Sequence, residues 1–146
     1  MISSIVWFTL IPLVRNQKNN VIMLYMAYVR KYCGPIILDI SNGQFRRYCG
    51  PVIYESKGGL FRKYCGPAIY RFNDTTISEY CGVSLLTYSH YSGEIRKYCG
   101  GTIAETYQSE KYIRKYCGPT EYEIDGSLNH DEMMGLLILI YILHEI

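Results

Sequence analysis

Six copies of Tyr-Cys-Gly at nearly fixed spacing constrain this chain more than any other feature. The cysteines are Cys33, Cys49, Cys65, Cys81, Cys99 and Cys117, at intervals of 16, 16, 16, 18 and 18 residues. A period of this kind sets architecture before composition does. Four places before each Cys stand Val29, Phe45, Phe61, Ile77, Ile95 and Ile113. A basic pair follows in five copies, then Tyr, Cys and Gly in all six. Four places after Cys come Ile37, Ile53, Ile69, Leu85 and Ile103, with Glu121 the exception.

The apolar stretches are short, rich in Ile and Tyr, and bounded by turn residues, which is a strand pattern. Each unit therefore holds two strands. Between them lie "SNGQ", "SKGG" and "NDTT", with Asp125-Gly126 in the last copy. Asn-Gly and Asp-Gly supply the positive φ of tight hairpin turns. The two longer copies keep register around Tyr-Cys-Gly, so their extra residues fall at the tips, in "TYSHYSG" and "ETYQSEK". Tips that accept insertion face solvent, and ends that do not are expected to pack. The Cys-Gly turns are thus expected where neighbouring hairpins meet.

The expected fold is all-β: about six tandem hairpin repeats of 16–18 residues, arranged around an axis, with an apolar C-terminal helix. Whether the ring closes or stays an open stack is left open. The expected divisions are an apolar N-terminal segment (1–20), a repeat domain (21–126) and the C-terminal helix (127–146). Val21 and Ile22 occupy the columns of Ile37 and Leu38, so Val21 to Cys33 reads as a degenerate first hairpin. In "NHDE", Asn129 is placed as N-cap and Glu132 as its capping-box partner, with the helix running through Leu143. It is apolar all round, so it must be buried against the repeats, a partner chain or a membrane. The run "ISSIVWFTLIPLV" reads as a strand or helix docked on the domain, or as a secretory signal core.

Short hairpins with an Ile-Tyr pair, an Asn/Asp-Gly turn, an Ile or Phe, and a second Gly turn resemble the bacterial β-flower proteins. The resemblance covers Val21 to Gly126. It implies hairpins radiating about a central axis. That family is functionally uncharacterised, so no catalytic residue is carried over. Tyr-Cys-Gly-Pro and the terminal segments lie outside the resemblance.

The cysteine column admits three readings. Six is an even number, as a disulfide framework requires, but a neighbour pairing at one site uses up the next. A ring of thiols could hold a soft metal, yet no closely spaced ligand pair exists, and His90, His130 and His144 are scattered. The preferred reading is packing: Cys33-Gly34, Cys49-Gly50, Cys65-Gly66, Cys81-Gly82, Cys99-Gly100 and Cys117-Gly118 as structural turns, each thiol a small buried plug. No metal or cofactor is implied.

Ten of the fifteen basic residues sit in the doublets before Tyr-Cys. Strand alternation puts Arg30 and Tyr32, Arg46 and Tyr48, Arg62 and Tyr64, Arg96 and Tyr98, and Arg114 and Tyr116 on one face. They form a candidate binding stripe for anionic polymers or surface glycans. The competing reading, which is preferred, is a solvated face balanced by Asp39, Glu55, Glu105 and Glu123. Alternation also aims each Lys between two apolar positions. Either the strand bulges there, or the Lys stem lies along the core with its amine in water.

The net charge of +2 implies no whole-protein grip on nucleic acid. No phosphate loop, metal-binding His pair or nucleophile elbow is present. The function expected is a non-enzymatic structural or interaction module. The alternatives are anionic-polymer or glycan binding through the stripe, and a thiol redox or metal protein. The partner is open, with homo-oligomer, membrane or partner contact through the apolar termini among the options. The compartment is open too, with the cytoplasm slightly favoured over secretion.

Overall fold

A computed structural model describes residues 10–15 and 21–146. The expectation for the apolar N-terminal run lies outside the described residues as far as residue 9. Its end forms strand β1 (Leu10–Arg15), which pairs antiparallel with β2 (Val21–Tyr25) in a two-stranded sheet.

Twelve further strands close into one barrel. They are β3 (Ala27–Lys31), β4 (Ile36–Ser41), β5 (Gln44–Arg47), β6 (Val52–Lys57), β7 (Leu60–Lys63), β8 (Ala68–Phe72), β9 (Thr76–Glu79), β10 (Ser84–Tyr88), β11 (Glu94–Lys97), β12 (Thr102–Tyr107), β13 (Tyr112–Lys115) and β14 (Thr120–Asp125). Every strand pairs antiparallel with its neighbours in the chain, and β14 returns to β3 from Tyr122↔Lys31 to Asp125↔Tyr28. The ring therefore closes. It holds six hairpins, the sixth split between the two ends of the repeat. Val21 to Cys33 is not a first hairpin: β2 pairs with β1, and β14 takes the place beside β3. The repeat sheet starts at Ala27 rather than Val21.

The tips follow their local chemistry. Asn42 and Gly43 have φ of 51° and 74°, and Gly58 and Gly59 have 62° and 78°. Positive φ at both central residues matches the right-handed twist of the flanking strands. Asn73 instead accepts from the backbone N–H groups of Thr75 and Thr76 through its side chain. Asp125-Gly126 is not a tip. Gly126 (φ 100°) turns the chain out of the sheet against Met26 and Ala27.

The barrel has a physical requirement that the termini meet. Around eight strands, wall side chains alone fill the interior, whereas twelve enclose a wider space. Helix α1 (His130–Tyr141) fills it. Twelve residues make a rod of about 18 Å, close to the length of a six-residue strand. Met133, Met134 and Leu136–Ile140 are all buried, against wall residues such as Val29, Phe45, Phe61, Ile77, Ile95 and Ile113. The all-round apolar surface is thus used inside this chain. Of the three places offered for burying this helix, the repeats are the one it takes. No helix among the described residues is long and apolar enough to cross a membrane.

The helix start has the expected cap. Asn129 Oδ1 accepts from Glu132 N (2.8 Å), and Glu132 Oε1 accepts from Asn129 N (3.0 Å). The helix ends at Tyr141, two residues short of the expected Leu143. Its first turn also binds the hairpin tips. Gly43 N donates to Glu132 Oε2 (3.0 Å), Gly58 N to Asp131 Oδ2 (3.0 Å), and Ser56 Oγ to the Asp131 carbonyl (2.6 Å).

Candidate functional site: the Tyr-Cys rim

All six Tyr-Cys-Gly turns lie at the barrel end opposite the tips, because each joins one hairpin to the next. Each is a tight turn in which the Gly N–H donates to the carbonyl of the residue before Tyr, at 2.7–3.0 Å. The third residue of the turn is Cys, with φ between 54° and 60° in all six copies. This is the left-handed region, which usually takes Gly or Asn and costs an ordinary L-residue about 1–2 kcal/mol. The adjacent Gly has a different task. A Cβ on Gly34 would stand 3.0 Å from Lys31 Cβ and 3.3 Å from its carbonyl oxygen.

The preferred packing reading of the cysteines is overturned. Cys33, Cys49, Cys65, Cys81, Cys99 and Cys117 are all exposed, and all are free thiols. The physical reason is on the next strand. At every Tyr-Cys-Gly junction the register slips by one residue. The extra residue is Ile37, Ile53, Ile69, Leu85, Ile103 or Glu121, the column four places after Cys. Its carbonyl accepts the N–H of the next unit's Tyr, as between Tyr48 N and Ile37 O (3.1 Å) and between Tyr64 N and Ile53 O (3.0 Å). Ile37, Ile53, Ile69 and Ile103 pack partly against the core. At these four junctions the bulged Ile, and not the thiol, packs against the core. Among the described residues no group of three or more His, Cys, Asp or Glu could hold a metal ion.

Beside the thiols stand Tyr32, Tyr48, Tyr64, Tyr80, Tyr98 and Tyr116, each about half exposed, from 48% to 54%. Tyr32 meets Tyr112 edge-on, with ring centroids 6.0 Å apart, and Tyr48 meets Tyr28 likewise at 6.2 Å. Charge on the adjacent Cys33 is the main cause holding the Tyr32 phenol above the ordinary tyrosine value. Burial, with Asp39 next in weight, does the same to Tyr28.

The basic doublets divide as alternation requires. Arg30, Arg46, Arg62 and Arg114 stand on the outer wall, directly across from Glu123, Asp39, Glu55 and Glu105. Arg114 closes its pair with Glu105 at 2.7 Å and lies over the Tyr107 ring, and Arg30 reaches Asp125 at 2.7 Å. Arg96 stands opposite Thr87 and has Glu94 at 3.5 Å. Arg30, Arg96 and Arg114 thus have an acid within 4 Å, Arg46 and Arg62 face one in register without closing a pair, and the Tyr half forms the rim.

The second residue of each doublet lies at the barrel mouth. Lys31 extends over the Tyr122 ring (4.9 Å) with its amine 3.5 Å from the phenol oxygen. Lys31, Arg47, Lys63, Lys97 and Lys115 are all exposed. Both options offered for the Lys column therefore hold in part: a bulge exists, on the following strand, and the Lys itself escapes past the end of the core. The C-terminal segment crosses this mouth. Tyr54 Oη donates to Glu145 (2.5 Å) and Tyr122 Oη to the Ile146 carbonyl (2.9 Å). Burial, then the bond to Glu145, pushes the Tyr54 phenol up to about 12.

One polar cluster was missed from sequence, where its histidines looked scattered. At the tip end, His130 Nε2 donates to the Asn73 carbonyl (2.8 Å), and His130 Nδ1 meets His90 Nε2 at 2.7 Å. His90 Nδ1 meets Glu110 at 2.6 Å, and Glu110 also accepts from Tyr88 Oη. His90 and Glu110 come from the two longer tips. The insertions were the available signal: they reach the helix start that shorter tips contact directly.

Compared with protein-family models, curated proteins and solved structures, the chain matches none.

Proposed function

We propose that this chain is a non-enzymatic interaction module whose binding face is the Tyr-Cys rim. One observation carries the reading: the half-exposure, at one end of a closed barrel, of six equivalent tyrosines. Exposed aromatic rings in a repeated array suit a partner that is itself repetitive, because each unit adds a weak contact and the ring adds them together. Equivalent side chains do not supply the convergent, dissimilar groups that catalysis needs. The exposed lysines at the mouth favour an anionic, extended partner such as a sulfated polysaccharide. A place among the β-flower-type repeat proteins belongs to the same proposal and rests on hairpin size and radial arrangement.

Heparin is the probe. Retention on immobilised heparin at low salt, weakening as salt screens the contacts, is the expected result. The variants Lys63→Glu with Lys97→Glu, and Tyr48→Ser with Tyr64→Ser and Tyr116→Ser, should each elute earlier while keeping the wild-type circular dichroism. Absence of retention at low salt, or retention indifferent to both sets, contradicts the reading.

A further inference from the structure

The outer wall breaks its own rule at one place. In the other hairpins a cation in the Arg column faces an acid or Thr87 across the strand pair. In the third hairpin the acid column holds Arg71 and the Arg column holds Ser78, and the two are register partners. The cation is kept, but its carboxylate is gone and the long side chain opposite is cut down to a hydroxymethyl group. Arg71 makes no ion pair among the described residues.

The trimming leaves a groove of about 460 Å³. Arg71, Ser78, Ser84, Thr76 and Tyr98 line it, together with Phe72 and Asn73. Ser78 Oγ and Ser84 Oγ are 3.2 Å apart, so one hydroxyl hydrogen satisfies that pair and the second is free to point outward. Asp74 and Glu79, the nearest acids in sequence, do not line the groove. A carboxylate-free concavity with a forked cation and convergent hydroxyl donors has the chemistry of an oxyanion site. The guanidinium fork matches two oxygens of a phosphate or sulfate at once. The half-exposed Tyr98 ring offers an apolar face for whatever the oxyanion is attached to.

We propose that the groove between β8, β9 and β10 binds a small oxyanion-bearing ligand, a phosphate or sulfate ester, with Arg71 as its charge partner and Ser78 and Ser84 as donors. The site is on the wall and shares Tyr98 with the rim, but its test uses small anions and does not depend on polymer binding.

The test is an amide and Arg side-chain NMR titration of the full chain at constant ionic strength. Inorganic phosphate, sulfate and acetate are added separately, with chloride as reference. Saturable shifts confined to Arg71, Ser78, Ser84 and Tyr98 are expected with phosphate or sulfate, and the stronger of the two identifies the ester. Arg71→Glu combined with Ser78→Arg installs the repeat's usual pair in the groove. It should weaken binding about tenfold or more, the scale of one charge-assisted contact. Arg71→Ala, at an exposed position, should do the same and guards against misfolding of the double variant. Shifts that match chloride, that are strongest with acetate, or that survive Arg71→Ala overturn the proposal.

Discussion

At the scale of residues, the turn divides labour between Cys and Gly. Cys33 carries the positive φ and Gly34 the close approach to Lys31. Cys33→Ala keeps the same left-handed strain and loses no burial. Its unfolding free energy should stay within about 0.5 kcal/mol of wild type in chemical denaturation. Gly34→Val forces a branched side chain against Lys31 and should cost about 1–3 kcal/mol. Equal losses at the two positions would contradict this division.

Asp39 tests the outer wall at the same scale. It is buried to 8% exposure, and burial raises its pKa above the ordinary 3.8, with Arg46 opposing. Asp39 Oδ1 and Arg46 Nε both lack a hydrogen-bond partner, so the pair is not closed. A raised folded pKa means that the charged form is disfavoured in the folded chain. That cost is absent below 3.8, where the group is protonated in both states. It grows as pH rises through the folded pKa and is constant at neutral pH. Asp39→Asn should therefore raise the thermal midpoint at neutral pH, and the gain should disappear as pH falls below 3.8. A loss of stability at neutral pH would show that Arg46 wins.

At the scale of elements, the helix is held by space as much as by apolarity. A Cβ on Gly135 would lie 2.6 Å from Phe45 Cζ and 2.8 Å from Ser56 Cβ. Ala is the better helix former by about 1 kcal/mol, so propensity alone predicts that Gly135→Ala stabilises. Crowding against β5 and β6 should outweigh that, giving net destabilisation of about 1–2 kcal/mol in denaturant titration. The hairpins and the helix cap were legible because their signals are local: Asn42-Gly43 for a turn, Asn129 and Glu132 for a start. The bulge at Ile37 was not. Two consecutive apolar residues, Ile53 and Tyr54, break strict alternation, and that was the visible trace of it. The cysteines were misplaced for the same reason, since without the bulge a small apolar residue is needed where the Ile already packs.

At the scale of the whole molecule, closure decides the rest. Twelve strands enclose a space that needs a plug, and the plug is the chain's own helix, tied at its start to the tips and leaving by the mouth. Sequence periodicity implied an axis but not closure, because pairing of β14 with β3 joins residues about ninety-five apart, as between Arg30 and Asp125. The closed barrel turns six like corners outward at one rim. Thiol labelling of the native protein, followed by intact mass, tests that arrangement most directly. Six labels at similar rates are expected, with the folded circular dichroism retained throughout. Fewer than six labels, or labelling only at the rate of global unfolding, would contradict it.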